Sequence, residues 1–144
     1  MEYGFALGSR VLVGKNRSLP IQILRPGDII LSFVMGRLFP VTVRFCYQRF
    51  INKVQVTKTD NIGIRGGLNQ PIYQYNGYKE LCSLEEDDIL LKQNQEPVRV
   101  KETKLCEICM PVYVLQTYPD LSFIVNGFVV GSPGFKGEYC EERT

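Results

Sequence analysis

The chain has 144 residues and a mass of 16.5 kDa, which is room for a single domain with its own core, and its 44% hydrophobic and 22% charged residues are typical of a globular protein. The formal net charge is +2, too small to predict a nucleic-acid-binding protein from the total alone. There is no histidine, so catalysis by a Ser-His-Asp or Cys-His arrangement within this chain is excluded.

Short β-branched segments bounded by Gly, Pro, Asn or Asp follow one another along the chain and predict strands. In chain order they cover residues 10–13, 21–24, 29–32, 41–44, 53–56, 88–91, 98–100 and 112–115. Thirteen glycines and eight prolines interrupt the pattern, and no apolar stripe with helical spacing is longer than about ten residues. The glycine-rich stretch 63–67 predicts a flexible hairpin or loop. The fold class predicted from the sequence is all-β.

Three segments recur in the same order at nearly one offset, which indicates an internal duplication. Residues 24–31 match 84–91 at an offset of 60, residues 40–43 match 97–100 at 57, and residues 54–56 match 112–114 at 58. The first pair keeps Asp28 and Asp88, whose side chains can accept backbone N–H groups in a turn just before an apolar strand. The sequence predicts two β units packed about a pseudo-two-fold axis in one domain, 1–132, followed by a C-terminal tail, 133–144.

Four stretches of the chain carry a resemblance to a known family. They are 4–12 (Gly-Phe-Ala-Leu-Gly-Ser-Arg-Val-Leu), 20–30 with its Gly-Asp turn, 54–60, and the closing pair 112–115 and 123–132. In this order and spacing they resemble the Hint domain of inteins and hedgehog autoprocessing proteins. The resemblance covers nearly the whole chain and implies a compact twisted β horseshoe, in agreement with the predicted duplication.

The resemblance implies a self-cleavage chemistry whose reactive groups are missing from this chain. Family members begin with attack by a Cys or Ser side chain, and the position that resembles it is Gly4. The Thr-x-x-His motif falls on Thr57 and Asp60, and an ionised Asp cannot donate the proton that an imidazole donates. The closing His-Asn falls on Gly131 and Ser132. We therefore expect no catalytic residue, with these five positions as degenerate remnants.

The cysteines predict reduced thiols rather than a disulfide framework, because there are five of them. Cys106 and Cys109 form a Cys-x-x-Cys pair and are the candidate metal ligands, but a zinc site needs a second ligand pair that the spacing does not supply. We expect no metal and no cofactor. The start of the chain lacks the basic and apolar regions of a secretory signal, and an intracellular location is expected.

Charge is unevenly distributed along the chain. Residues 1–72 hold ten Lys and Arg against three Asp and Glu, whereas residues 73–144 hold seven against twelve. Between Arg37 and Arg65 the cations alternate with aromatic residues, a composition compatible with stacking on nucleic-acid bases or with one solvated strand face. Tyr, Phe and Arg are frequent in interface hot spots, so the candidate partner-binding residues are Phe45, Tyr47, Arg49, Phe50, Tyr73, Tyr75 and Tyr78.

The sequence as a whole predicts a non-catalytic Hint-like domain that acts as a protein-interaction module or a structural subunit of a larger assembly. Two alternatives stay open. One is residual self-cleavage by an unconventional nucleophile, for which Ser9, Cys46 and Ser132 are the candidates. The other is a β module that contacts nucleic acid.

Overall fold

A computed structural model describes residues 1–75, 77–119 and 121–132, and it shows an all-β protein built from two antiparallel sheets. The predicted tail 133–144 lies outside the described residues. The strands are β1 (Phe5–Ala6), β2 (Arg10–Gly14), β3 (Arg17–Pro20), β4 (Ile29–Val34), β5 (Arg37–Ile51), β6 (Val54–Lys58), β7 (Gly63–Gly66), β8 (Pro71–Gln74), β9 (Gly77–Glu80), β10 (Ile89–Leu91), β11 (Pro97–Arg99), β12 (Glu102–Cys106), β13 (Met110–Tyr118), β14 (Ser122–Val125) and β15 (Phe128–Gly131).

The strand order places the two halves of the chain symmetrically. The first sheet runs β12-β6-β7-β1-β13-β5-β4, so that β7 and β1 lie side by side at its centre. The second runs β11-β10-β8-β15-β14-β2-β3, with β9 paired to β8 and the β14–β15 hairpin at its centre. The glycine-rich stretch 63–67, predicted as a flexible hairpin or loop, is not a loop: it supplies a central strand, β7, which forms a hairpin with β6.

Backbone hydrogen bonds confirm the duplication. The N–H of Arg25 donates to the Asp28 carboxylate at 2.8 Å, and the N–H of Glu85 donates to the Asp88 carboxylate at the same distance. The carbonyl of each Asp then accepts the N–H of the returning strand, from Val43 in the first unit and from Val100 in the second, at 2.8 Å in both. Each Asp thus closes its turn and fixes the register of the hairpin that follows.

The prediction of a strand over residues 21–24 was wrong. Residues Ile21–Ile23 form a 3₁₀ helix, and Leu81–Ser83 form its counterpart in the second unit. The apolar pattern has a period of three here, because Ile21 and Leu24 are buried while Ile23 is 48% exposed. Burial at positions i and i+3 is the pattern of a helical turn rather than of a strand.

The core lies between the two sheets. Phe5 from the first sheet meets Phe123 from the second edge-to-face, with ring centroids 6.1 Å apart. Ile30 and Leu90, which occupy equivalent places after the two Asp turns, are both fully buried. Burial of one such side chain contributes about 1.5–3 kcal/mol to the stability of the fold. Equivalent residues of the two units thus stabilise the common core. A smaller cluster of Ile51, Val54 and Val112 caps one end.

Candidate functional site

One buried side chain joins the beginning of the fold to its end. The Gln70 side-chain oxygen accepts the N–H of Gly4 at 2.8 Å, and its amide nitrogen donates to the carbonyl of Gly131 at 2.5 Å. Gln70 is 1% exposed and lies between β7 and β8. Two positions that are 127 residues apart in sequence therefore meet at one amide group.

Small polar side chains continue this arrangement inward. The Ser132 hydroxyl, fully buried, accepts from the N–H and the hydroxyl of Thr117, both at 3.5 Å. In the second sheet, Ser122 on β14 pairs with Gly131 on β15. The Ser122 hydroxyl meets the hydroxyl of Ser32, on β4 of the first sheet, at 2.5 Å. The described part of this cluster contains amides and hydroxyls, groups that exchange hydrogen bonds but do not titrate near neutral pH.

The backbone at Gly4 is adapted to glycine. Its φ is +111°, a conformation that residues with a side chain rarely adopt. A Cβ at this position would lie 3.0 Å from a methyl group of Val112, 3.0 Å from one of Val114 and 3.1 Å from the carbonyl oxygen of Tyr113. A nucleophilic side chain would be both strained and crowded here.

The residues that precede Gly4 are held in a backbone clamp. The N–H of Glu2 donates to the Asn69 side chain at 2.8 Å, and the N–H of Asn69 donates back to the Glu2 carbonyl at 2.9 Å. Arg49 donates to the carbonyl of Met1 at 2.9 Å, and Tyr3 is only 2% exposed.

Two glycines make the clamp possible. A Cβ on Gly66 would lie 2.4 Å from the carbonyl oxygen of Gly4, and a Cβ on Gly67 would lie 2.4 Å from that of Glu2. Strand glycines often mark such close backbone approaches. The segment 1–3 is therefore held by backbone contacts against this pair of glycines.

The structure brings together three of the five positions that the resemblance pointed to, namely Gly4, Gly131 and Ser132. Thr57 and Asp60 lie elsewhere. Thr57 is buried in β6, where its hydroxyl meets that of Thr103 on β12 at 3.2 Å. Asp60 is on the exposed β6–β7 loop and forms an ion pair with Lys101 at 3.6 Å. The side chain that contacts the Gly4 N–H belongs to Gln70.

Sequence reasoning missed Gln70 because its partners are more than 60 residues away on either side. Two signals were available. Gly66 and Gly67 come just before it and mark a close approach of two backbones. The second is the duplication: the Gln70 carbonyl accepts the N–H of Leu81 just as the Ser9 carbonyl accepts that of Ile21, so Gln70 and Ser9 occupy equivalent positions in the two units.

The cysteines of the described chain are free thiols. Cys106 ends β12 and Cys109 lies in the connection to β13; Cys140 is outside the described residues. No group of three or more Cys, Asp or Glu side chains with metal-binding geometry is found in residues 1–75, 77–119 and 121–132. Desolvation raises the pKa of Cys46, which Arg25 partly opposes, and its thiol donates to the Leu24 carbonyl at 3.3 Å.

The predicted partner-binding residues fall on two sheets. Phe45 to Phe50 lie on β5, where Phe50 is 64% exposed, while the Arg49 side chain is engaged with Met1. Tyr73 and Tyr78 form a cross-strand pair on β8 and β9, with ring centroids 6.3 Å apart, and the Tyr75 hydroxyl donates to the carbonyl of Gln95. Their arrangement is compatible with contacts on two separate surfaces.

In the described part of the chain, no helix has the length and apolar character that crossing a bilayer would require.

Solved structures with this arrangement of strands are inteins and an intein-like domain, which have the Hint fold. A bacterial intein-like domain from Clostridium thermocellum superposes with a TM-score of 0.84 at 20% identity, covering 90% of this chain and 99% of that one. A DnaB intein from Synechocystis gives 0.77 at 14% identity over 90% and 97%, and the gp41-1 intein gives 0.77 at 12% over 90% and 98%. No protein-family profile and no curated protein sequence matches the chain. The fold implied by the sequence resemblance is confirmed.

Proposed function

We propose that this Hint-fold domain has lost self-cleavage and works as a protein-interaction module or structural subunit of a larger assembly. The observation that carries the proposal is the Gln70 bridge. Where the resemblance calls for an imidazole next to the first residue of the domain, the side chain in contact with the Gly4 N–H is an uncharged amide. A side-chain amide neither gains nor loses a proton near neutral pH, so it can orient a peptide bond but cannot act as a general acid or base toward it.

The surroundings of Gly4 support the loss of activity. An acyl shift needs a thiol or hydroxyl carried on a Cβ at this position, and the neighbours of Gly4 leave a Cβ only 3.0–3.1 Å on three sides. Reactivation would therefore require movement of β13 as well as a new side chain. The clamp on residues 1–3 then acts as a permanent attachment of the segment to the sheet.

The substitute nucleophiles are unfavourably placed. Burial raises the pKa of Cys46, and a thiol is reactive as its thiolate, so this cysteine is less nucleophilic than a free one. Ser132 is fully buried and Ser9 is 8% exposed. A hydroxyl needs an adjacent general base, and the chain has no histidine to provide one.

A role in interaction is supported by what the fold leaves exposed. Phe50 and Ile108 lie near the same end of the β5–β13 ladder and are 64% and 54% exposed, and exposed apolar side chains that lie together are typical of surfaces that a partner covers. Phe50 pairs with Pro111 across β5 and β13, which places it on the longest and best-paired ladder of the first sheet. A rigid ladder is a suitable support for a docking residue.

Intact mass and native mass spectrometry test the two parts of the proposal separately. The chain, incubated with a thiol at neutral pH, is expected to keep its 16.5 kDa mass; a product cut between Tyr3 and Gly4 would show that activity survives. The variant G4C/Q70H supplies a thiol and an imidazole at the two positions and is expected to remain intact as well, because the backbone at Gly4 does not accept a side chain without movement.

For the interaction role, the protein is released gently from its own source and examined by native mass spectrometry. A 16.5 kDa chain inside a larger particle supports the proposal. An intact monomer with no bound partner, at concentrations where assemblies persist, would overturn the proposed role as a subunit. It would leave the proposed loss of self-cleavage unaffected.

A further inference from the structure

A groove bordered mainly by cations surrounds the β6–β7 loop, residues 59–62. It consists of three adjoining hollows of about 480, 350 and 410 Å³, and Ile62 lines all three. We call it the basic groove. The first hollow reaches the β1–β2 turn, the second follows the β2–β3 turn, and the third extends to β10 and β11.

The charge of the basic groove far exceeds that of the whole chain. Among the residues that the structure describes, two acidic ones, Asp60 and Glu96, line it, together with seven basic ones: Arg10, Lys15, Arg17, Lys58, Arg65, Lys92 and Arg99. Within the described part of the chain, Arg99 is the one among these cations that forms an ion pair, with Asp87 at 3.8 Å. A net charge of +5 is thus gathered on one surface of a chain whose total is +2, and such a surface attracts anions over several ångströms.

The groove is formed before any ligand binds. Thr59 closes the loop through its hydroxyl, which donates to the Ile62 carbonyl at 2.6 Å, and through its N–H, which donates to the same oxygen at 3.0 Å. Beneath it, the Asn126 side chain accepts the N–H of Arg10 at 2.9 Å and donates to the Gly63 carbonyl at 2.8 Å. Little ordering of the backbone is left for binding to accomplish.

The composition of the lining favours a nucleic acid over an acidic protein. Protein interfaces are enriched in exposed aromatic residues and depleted in Lys, whereas protein–DNA interfaces are strongly cationic. The one aromatic residue of the basic groove, Phe128, is fully buried, and Ile62 is 41% exposed. The amides of Asn16, Asn61 and Gln93 are interspersed with the cations and can hydrogen-bond to phosphate or sugar oxygens.

We propose that the basic groove binds the sugar-phosphate backbone of a nucleic acid without reading its sequence. The surface is distinct from the aromatic stretch of β5, because Phe45, Tyr47 and Phe50 do not line it. It also stands apart from the proposed role as a subunit, since a domain can bind nucleic acid whether or not it has protein partners. Five phosphate contacts would lower the affinity for a single strand roughly a hundredfold between 50 and 200 mM salt.

Fluorescence anisotropy with a labelled 20-nucleotide RNA of mixed sequence tests the proposal on the full chain. The variant R17Q/K58Q/R65Q removes three cations of the basic groove, and R37Q/R44Q/K53Q removes three exposed cations that do not line it, so both carry the same net charge. The first is expected to bind about tenfold or more weakly at 50 mM salt and to show a shallower salt dependence, and the second to change by less than about threefold. Equal losses in the two variants would overturn the proposal.

A gain of affinity separates the proposal from misfolding. D60N/E96Q removes both acidic groups from the groove and is expected to bind RNA about three- to tenfold more tightly. E85Q/E107Q makes the same change in net charge at two exposed residues that do not line the groove, and it is expected to have little effect. A duplex of the same length distinguishes single-stranded from double-stranded ligands, and either one binding in the groove supports the proposal. Polyglutamate competing as well as RNA at equal charge would overturn it in favour of an acidic protein.

Discussion

Replacing Gln70 with Leu tests the bridge between the two ends of the fold. The side chains have similar volume, so the change mainly removes three hydrogen bonds: one from the Gly4 N–H and two to the carbonyls of Gly131 and Pro71. Each buried group left without a partner costs about 1–3 kcal/mol, and the Leu recovers part of this by its apolar surface. We expect the free energy of unfolding to fall by about 3–4 kcal/mol.

Urea unfolding followed by tyrosine fluorescence measures this loss, since the chain has eight Tyr and no Trp. With an unfolding entropy of about 2.1 cal/mol/K per residue, the same loss lowers Tm by about 10–13 °C. The matched control is Q48L, because Gln48 is exposed and makes its hydrogen bond with the Tyr113 hydroxyl at the surface. A loss in Q70L no larger than in Q48L would refute the bridge.

The charged isostere adds a pH test of the same contacts. In Q70E a carboxylate would still accept from the Gly4 N–H, but above its pKa it would face the Gly131 carbonyl without a proton to donate. Burial raises the pKa of such a group in the folded state. The loss in free energy of unfolding of Q70E relative to the native chain is therefore smallest below the unfolded Glu pKa, about 4.3, and this deficit grows as the pH rises through the folded pKa. A deficit that does not change between pH 4 and 8 would contradict this.

Three further outcomes are expected. Desolvation of Asp88 is outweighed by hydrogen bonds from the Glu85 N–H and from Lys79, which lower its pKa. D88N should therefore lose about 1–3 kcal/mol of unfolding free energy at neutral pH. The difference between D88N and the native chain should close as the pH falls through the depressed pKa, which urea unfolding at several pH values measures. G66A places a Cβ 2.4 Å from the Gly4 carbonyl oxygen and should lower Tm by 10 °C or more or prevent folding, whereas G14A, with 3.6 Å to its nearest neighbour, should shift it by less than about 3 °C in a thermal melt. N126A removes side-chain hydrogen bonds that join two strands and should cost about 2–4 kcal/mol by urea unfolding, with a stable variant counting against the role of this residue in holding the groove.

The general architecture followed from local patterns. The β-branched runs and the Asp-closed turns predicted the all-β class and the duplication, because each depends on residues within one hairpin. Asp28 and Asp88 could be paired from sequence since their hydrogen-bond donors are three residues away, at Arg25 and Glu85. The period-three burial of Ile21 and Leu24 was hidden by its short length, since three apolar residues within four positions fit a strand or a helical turn equally well.

The site was predictable only in part. Gly4, Gly131 and Ser132 were located through the resemblance, and the fold does bring them together. Gln70 was not found because its role depends on partners supplied by both ends of the domain, and the neighbouring Gly66 and Gly67 mark a close backbone approach without identifying the segment that approaches. The basic groove was equally hidden: its cations come from β2, β3, β6, β7 and β11 and from the β2–β3 and β10–β11 connections, and their convergence on Ile62 is a property of the tertiary structure.

The Gln70 bridge has a topological consequence. One amide group spans the gap between Gly4 and Gly131, so these two backbone positions are within about 8 Å of each other. Two or three residues could connect Ser132 to Gly4 in place of residues 1–3, and the chain could then be opened at the β2–β3 turn or at another exposed turn with the strand pairing of residues 5–131 otherwise kept. For the same reason the domain could be placed inside a surface loop of another protein while leaving the two sides of that loop almost where they were.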